Sequence, residues 1–283
     1  MPVHPPAPTE LAALVEAFAR TVQAVVDLGS TCTPADFAKA TDCPGWSVQD
    51  QISHVASVEC WLEGAPVEQL DLSDVPHVRN RFGRIMEMGV AARRDREGAD
   101  VVKELADVLR LRLAHLRDPA LDPAAVIDSP LGPRSAVALV ALRIKDVWCH
   151  EQDIRTALGR PGNLDSAAAA TFLSGVVDAL PALVATRAGV PVDHTVIIDC
   201  TGPVVARVGV RVVDGPDGQP APEVLFSGTA KPHVEGPTTT ITLSTEALTR
   251  RAAGRRSVED LHYTVAGDEA IARSVLEQLP MTP

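Results

Sequence analysis

The chain has 283 residues, 46% of them hydrophobic, and a formal net charge of -11 at pH 7. This length and apolar content suffice for two domains with separate cores and exclude a disordered or fibrous class. The negative charge opposes contact with a phosphate backbone, so nucleic acid is not an expected partner. No apolar run reaches the roughly 18 residues of a membrane span, and the N-terminal MPVHPPAPTE lacks a signal peptide's apolar stretch. We therefore expect a soluble, cytoplasmic protein without a membrane partner.

The cysteines do not indicate a disulfide-bonded or zinc-finger fold. There are five, an odd number, and none of them forms a CxxC pair. A disulfide scaffold or a zinc-finger cluster would require regular, paired spacing. We expect them to be reduced thiols that mostly serve in packing.

The first two thirds of the chain has helical periodicity, with apolar residues recurring every three or four positions. Ser47 is a predicted N-cap with Asp50 in the capping-box position, and Gly159 is a predicted helix stop. The segments expected to be helical are residues 10–28, 47–63, 77–93, 99–117, 135–159 and 165–188.

The pattern changes after about residue 190. Short β-branched runs alternate with Gly, Pro and Asp turns, which indicates strands. The expected strands are 195–200, 205–213, 222–228, 238–243 and 261–267, with helices at 245–253 and 268–279. The predicted fold is thus an N-terminal up-down helical bundle over residues 9–190, followed by a small α+β domain over residues 191–283.

The segment 135–159 carries the most informative polar residues. Its helical wheel is apolar on one wide face, and Leu139 and Leu142 add apolar groups opposite, so the helix is expected to be surrounded by protein. Asp146, His150 and Asp153 nevertheless stack on that second face. Burying a charge costs on the order of several kcal/mol unless the charge is paired or binds a metal. Asp146 and His150, one turn apart, can converge on one ion.

His54 supplies a third candidate ligand. On the wheel of segment 47–63 it lies between Trp61 and Val58, inside the apolar arc. Two histidines and one carboxylate from facing helices suit a divalent transition metal such as zinc, and three protein ligands leave a position open for a substrate. The same spacing also fits a surface ion pair or a hydrogen-bonded core histidine, and periodicity alone leaves these alternatives open.

A family resemblance adds to this interpretation. TDCPGWSVQDQISHVASVE (41–59) resembles the Pro-Gly-Trp, helix, His element of DinB-like helical bundles, and more specifically of the mycothiol-dependent maleylpyruvate isomerase family. DVWCHEQDIRTALGRPG (146–162) is similar to that family's second signature, and HVRNRFGR (77–84) resembles a further segment. The second half, including AAGRR (252–256), resembles the sterol-carrier-like domain that these enzymes append.

The resemblance implies that His54, Asp146 and His150 are metal ligands, although the founding pattern has Glu where this chain has Asp146. Asp153 is expected to orient a ligand histidine, the alternative being a helix-surface acid facing Arg143 or Arg155. Arg255 is expected to reach a substrate carboxylate, the alternative being a cation that complements a helix dipole. Asn80 and Arg81 are expected to line the cofactor pocket, with a solvated helix face as the alternative.

The implied activity uses a metal, most simply zinc, and mycothiol as thiol cosubstrate. The thiolate would add to a small-molecule electrophile, either as a maleylpyruvate-type cis-trans isomerase or as an S-transferase. The expected assembly is a monomer or small homo-oligomer. Two other classes stay open: a non-catalytic small-molecule or lipid carrier that uses the C-terminal domain, and an interaction module that uses the acidic surface.

Overall fold

The computed structural model describes residues 2–72, 75–127, 129, 132–228 and 231–281. Its helices are α1 (Leu11–Ser30), α2 (Pro34–Phe37), α3 (Val48–Leu62), α4 (Arg81–Ala91), α5 (Gly98–Leu116), α6 (Ala136–Leu158), α7 (Ala167–Thr186), α8 (Thr245–Ala252) and α9 (Glu269–Gln278). Its strands are β1 (Val3–His4), β2 (Val126–Ile127), β3 (Arg134–Ser135), β4 (Thr195–Thr201), β5 (Val205–Asp214), β6 (Pro220–Gly228), β7 (Thr238–Leu243) and β8 (Tyr263–Ala266). The predicted fold class, a helical part followed by an α+β part, is confirmed.

The chain forms two compact units. One comprises Pro8–Gly162, and the other comprises Met1–Ala7 together with Asn163–Pro283. The division thus falls after Gly162, whereas the change in sequence pattern predicts it near residue 190. The difference is helix α7, which packs against β5 and β6. An apolar helix fits either kind of core, so its periodicity does not identify the unit to which it belongs.

The core of the helical unit is formed by packing between α1, α3, α5 and α6. Helix α1 packs against α5 and α6, while α3 packs against α4, α5 and α6. The side chains between them include Phe18, Ile52, Leu105 and Ile144, all of which are fully buried. Helix α3 therefore lies in the middle of the unit, next to the helix that carries Asp146 and His150.

Leu105 provides a test of this core. We expect Leu105→Ala to destabilise the protein by about 2–5 kcal/mol, because it removes buried methyl groups and leaves a cavity between α5 and its neighbours. Leu111→Ala is the matched control on the same helix, because Leu111 is 56% exposed, and its cost should stay within about 0.5 kcal/mol. Urea denaturation of both variants measures the difference. Equal losses in the two would contradict this packing.

The capping signals position most helix ends as predicted. Ser47 and Asp50 form the reciprocal capping box of α3, and Gly159 ends α6 in the left-handed conformation at φ 65°. Segment 77–93 differs, because α4 begins only at Arg81. The Asn80 side chain is the cause: its Oδ1 accepts a hydrogen bond from the backbone N–H of Gly83 at 2.8 Å, which makes Asn80 the N-cap.

The second unit contains a mixed sheet in the order β1-β5-β4-β7-β8, with β6 also paired to β5. Strands β4 and β7 are parallel, and the other pairs are antiparallel. Alternate residues share one apolar face, as the period-two pattern predicts. That face includes the buried side chains of Val196, Ile198, Val208, Val210, Ile241 and Leu243.

Helix α7 is long and apolar enough to span a membrane by length and composition alone. Most of this apolar helix is buried, however, and its buried residues include Leu173, Val177 and Leu180. Its contacts with β1, β5 and β6 explain this apolar composition. The helix is thus part of the core of the second unit.

Candidate metal centre

Three predicted ligands come together inside the helical unit. His54 lies on α3, whereas Asp146 and His150 lie one turn apart on α6. One ligand atom from each lies within 4.8 Å of the other two. His54 Nε2 is 3.3 Å from Asp146 Oδ2, and His150 Nε2 is 3.6 Å from Asp146 Oδ1. Both imidazoles therefore direct Nε2 towards the same carboxylate.

The three side chains of the cluster differ in their exposure to solvent. The side chains of His54 and His150 are 6% and 8% exposed, whereas that of Asp146 is 32% exposed. The indole of Trp46 lies against both imidazoles, with ring centroids 5.1 Å from His54 and 5.8 Å from His150. Asp146 is thus the member of the cluster that solvent contacts most.

The surroundings shift the pKa of each of these three groups. Burial and the neighbouring His150 lower the pKa of His54 to about 4, so its imidazole is neutral at pH 7. Burial opposes ionisation of Asp146, but Arg143 and the two histidines hold its pKa well below the usual range. Burial likewise opposes protonation of His150, yet Asp146 outweighs it and raises the pKa of that imidazole. Asp146 is therefore a carboxylate that attracts cations.

A buried ion-pair network holds Asp146. Arg143 Nη1 donates to Asp146 Oδ2 at 2.7 Å, and Arg143 Nε donates to Glu59 Oε1 at 2.7 Å. Glu59 Oε2 accepts from Arg112 Nε at 3.0 Å, and Arg112 Nη1 donates to Glu63 at 2.8 Å. The network thus joins two guanidinium groups and three carboxylates, and the imidazoles of His115 and His150 also pair with Glu63 and Asp146.

The residues fit a divalent transition metal. Two imidazoles and a carboxylate form a recognised zinc donor set with a position left for another ligand. His150 Nδ1 lies 2.6 Å from Gln51 Oε1, which supplies the outer-shell hydrogen bond that ligand histidines usually make. His54 Nδ1, in contrast, is buried without a hydrogen-bond partner. Gln51 stands one turn before His54 on α3, but no sequence pattern predicts its contact with His150.

Asp153 is fully buried, so the surface-acid alternative for this residue is wrong. Its Oδ2 lies 3.6 Å from His150 Nδ1, farther than Gln51. The two arginines named as its possible partners bind other acids: Arg143 pairs with Asp146 and Glu59, and Arg155 Nε donates to Glu151 at 2.7 Å. Asp153 is therefore near the centre, and its role in orienting His150 stays a prediction.

The other predicted site residues belong to elements other than α3 and α6. Asn80 uses its side-chain oxygen as the cap of α4, and Arg81, the first residue of that helix, is exposed. Arg255 belongs to the second compact unit, where its Nη1 donates to the carbonyl of Ala253 at 3.0 Å. The roles of Asn80, Arg81 and Arg255 towards a thiol or substrate stay predictions.

Two crystal structures of the mycothiol-dependent maleylpyruvate isomerase, one of them a histidine-to-alanine mutant, share the fold. The mutant has 14% identity and a TM-score of 0.52 over 90% of this chain and 93% of its own. The other has 16% identity and a TM-score of 0.50 over 92% and 94%.

No curated protein sequence matches the chain. The sequence model of the mycothiol maleylpyruvate isomerase N-terminal domain matches residues 11–155, which include the three clustered residues His54, Asp146 and His150. That match spans more than half of the chain. The chain therefore belongs to the mycothiol maleylpyruvate isomerase N-terminal domain family.

Proposed function

We propose that this protein is a mycothiol-dependent metalloenzyme in which His54, Asp146 and His150 hold one divalent metal, most simply zinc. The observation that carries the proposal is the convergence of two buried imidazoles and one carboxylate within 4.8 Å. The family match supports the choice of thiol and reaction. We place the enzyme in the cytoplasm, as a monomer or small homo-oligomer.

The side chains at the centre divide the work between them. A cation bound there would stabilise a thiolate well below the free-thiol pKa of about 8.5. Arg143 holds one Asp146 oxygen and leaves the other directed towards His150. The Trp46 indole covers the imidazoles and keeps water from that side. The exposed side of Asp146 is left for the thiol and its electrophile.

The thiolate is the nucleophile in this proposal. As an isomerase, the enzyme would let it add to a conjugated cis double bond of a maleylpyruvate-type substrate, allow rotation about the resulting single bond, and eliminate it. As an S-transferase, the enzyme would leave the new carbon–sulfur bond in place. Asp153 would help to orient His150, Arg255 would bind a substrate carboxylate, and Asn80 and Arg81 would contact the thiol cofactor.

The proposal is tested by turnover assays on metal-loaded protein. We expect mycothiol to be required for conversion of maleylpyruvate or of at least one electrophile from a panel. The concentration of free mycothiol during the reaction distinguishes isomerisation, which regenerates the thiol, from transfer, which consumes it. His262→Ala, at an exposed position in the second unit, should react like the wild type, whereas His54→Ala should not. Metal-loaded protein that turns over none of these compounds with mycothiol would contradict the proposed function.

A further inference from the structure

A chain of hydrogen bonds reaches His150 from the loop before α3. The Thr41 hydroxyl lies 2.8 Å from the backbone carbonyl of Trp46. The Gln51 amide nitrogen lies 2.7 Å from the same hydroxyl, and the Gln51 amide oxygen lies 2.6 Å from His150 Nδ1. Gln51 is fully buried, so its hydrogen bond with His150 lies in the protein interior.

The direction of each hydrogen bond in this series follows from the Trp46 carbonyl at its start. A backbone carbonyl can only accept, so the Thr41 hydroxyl donates its single hydrogen to Trp46. The hydroxyl oxygen can then only accept from Gln51, which requires the amide nitrogen of Gln51 on that side. The amide oxygen must consequently face His150, and it too can only accept. Nδ1 of His150 must carry the hydrogen.

We infer that Gln51 is a positioning residue that fixes His150 in the Nδ1–H tautomer and so presents the Nε2 lone pair to the metal. This inference rests on the proposed function for its metal, but the tautomer itself does not require one. Nε2 is the nitrogen that faces Asp146. A flipped Gln51 amide would put an N–H against Nδ1 and leave Nε2 protonated, which removes the lone pair needed for binding.

Asp153 is the competing acceptor for the same hydrogen. Its Oδ2 is 3.6 Å from His150 Nδ1, beyond normal hydrogen-bond distance, whereas Gln51 Oε1 is 1 Å closer. Gln51 is also held at its other end by Thr41, so its orientation is determined before any metal arrives. The geometry thus assigns the tautomer of His150 to Gln51, whereas Asp153 is left with a contribution to the orientation of the ring.

The first test is the tautomer in metal-free protein. Long-range ¹H–¹⁵N correlation spectra of histidine-labelled protein at alkaline pH, where the ring is neutral, report which nitrogen carries the hydrogen, and His150→Ala assigns the signal. We expect the Nδ1–H form in the wild type and its loss or mixing in Gln51→Met, which has similar size but no acceptor. Asp153→Asn should retain the wild-type form. Persistence in Gln51→Met with loss in Asp153→Asn would overturn the inference.

The second test is metal affinity, measured by zinc competition with a chromophoric chelator. We expect Gln51→Met to weaken binding about 10- to 100-fold, the range for loss of an outer-shell partner. Gln51→Glu keeps an acceptor and should lie closer to the wild type, and the exposed Gln23→Met should equal it. Should Gln51→Met fail to fold, Thr41→Val, which frees the amide to flip, must show the same direction of change in tautomer and affinity.

The two tests separate the inference from the proposed function. A wild type that binds no zinc but loses its Nδ1–H signal in Gln51→Met would refute the metal centre and keep the role of Gln51. A wild type that binds zinc with His150 in the Nε2–H form when metal-free would refute the role of Gln51 and keep the metal centre. Unchanged zinc affinity in folded Gln51→Met would also refute it.

Discussion

Replacing His150 with alanine is expected to remove the bound divalent metal from the purified protein. Wild type made in zinc-replete medium should carry about one equivalent, because three side chains present ligand atoms within 4.8 Å. Without His150 only one imidazole and Asp146 remain. The loss of affinity should exceed the roughly 10- to 100-fold that follows from losing an outer-shell partner. Metal analysis after gel filtration measures the content.

The control for this prediction is another histidine. His262 is exposed and lies in the second compact unit, so His262→Ala should keep the wild-type metal content. Far-UV circular dichroism should verify that both variants fold. Full metal occupancy in folded His150→Ala, or a metal-free wild type from replete medium, would show that these three residues are not the metal centre.

Replacing Glu59 with glutamine is expected to destabilise the protein by about 3–5 kcal/mol, the cost of removing one partner from a buried ion pair. Glu59 is fully buried and accepts one hydrogen bond from Arg112 and another from Arg143. A neutral amide cannot balance both guanidinium groups. Since Arg143 also holds Asp146, the same substitution should weaken metal affinity.

Glu16 supplies the matched comparison. Its pair with Arg117 joins α1 to the end of α5 at 2.8 Å, but both side chains are about half exposed. Glu16→Gln should therefore cost at most about 1 kcal/mol. Chemical denaturation monitored by tryptophan fluorescence gives both values. A cost for Glu59→Gln no larger than that for Glu16→Gln would mean that the buried network adds little to stability.

Local sequence patterns predict most of the helices and strands of the fold. Helix periods, the Ser47–Asp50 capping box and the Gly159 stop act within a few residues along the chain, so they can be interpreted without knowing what packs where. The same holds for the alternating strands of the second unit. Segment 77–80 was wrongly extended into a helix, because the Asn80 side chain competes for the first-turn amides and starts α4 later.

The candidate site was only partly visible in the sequence. Asp146 and His150 share a helix, so their spacing already places them together. His54 joined them through its apolar wheel position and a family resemblance. The supporting residues were not foreseen: Arg143 reaches Glu59 across 84 positions of the chain, and His150 reaches Gln51 across 99. No local period links such pairs.

The element types and the helical and α+β parts can be derived from the amino-acid sequence, because they follow from short-range sterics and periodicity. The candidate ligands follow from side-chain chemistry together with the family resemblance. The packing of the folded chain shows that α7 contacts the sheet, that Asp153 is buried, and that Gln51 and Arg143 contact the candidate ligands His150 and Asp146. Those outcomes depend on which helix faces pack together, and burial is what turns a polar side chain into an oriented, functional partner.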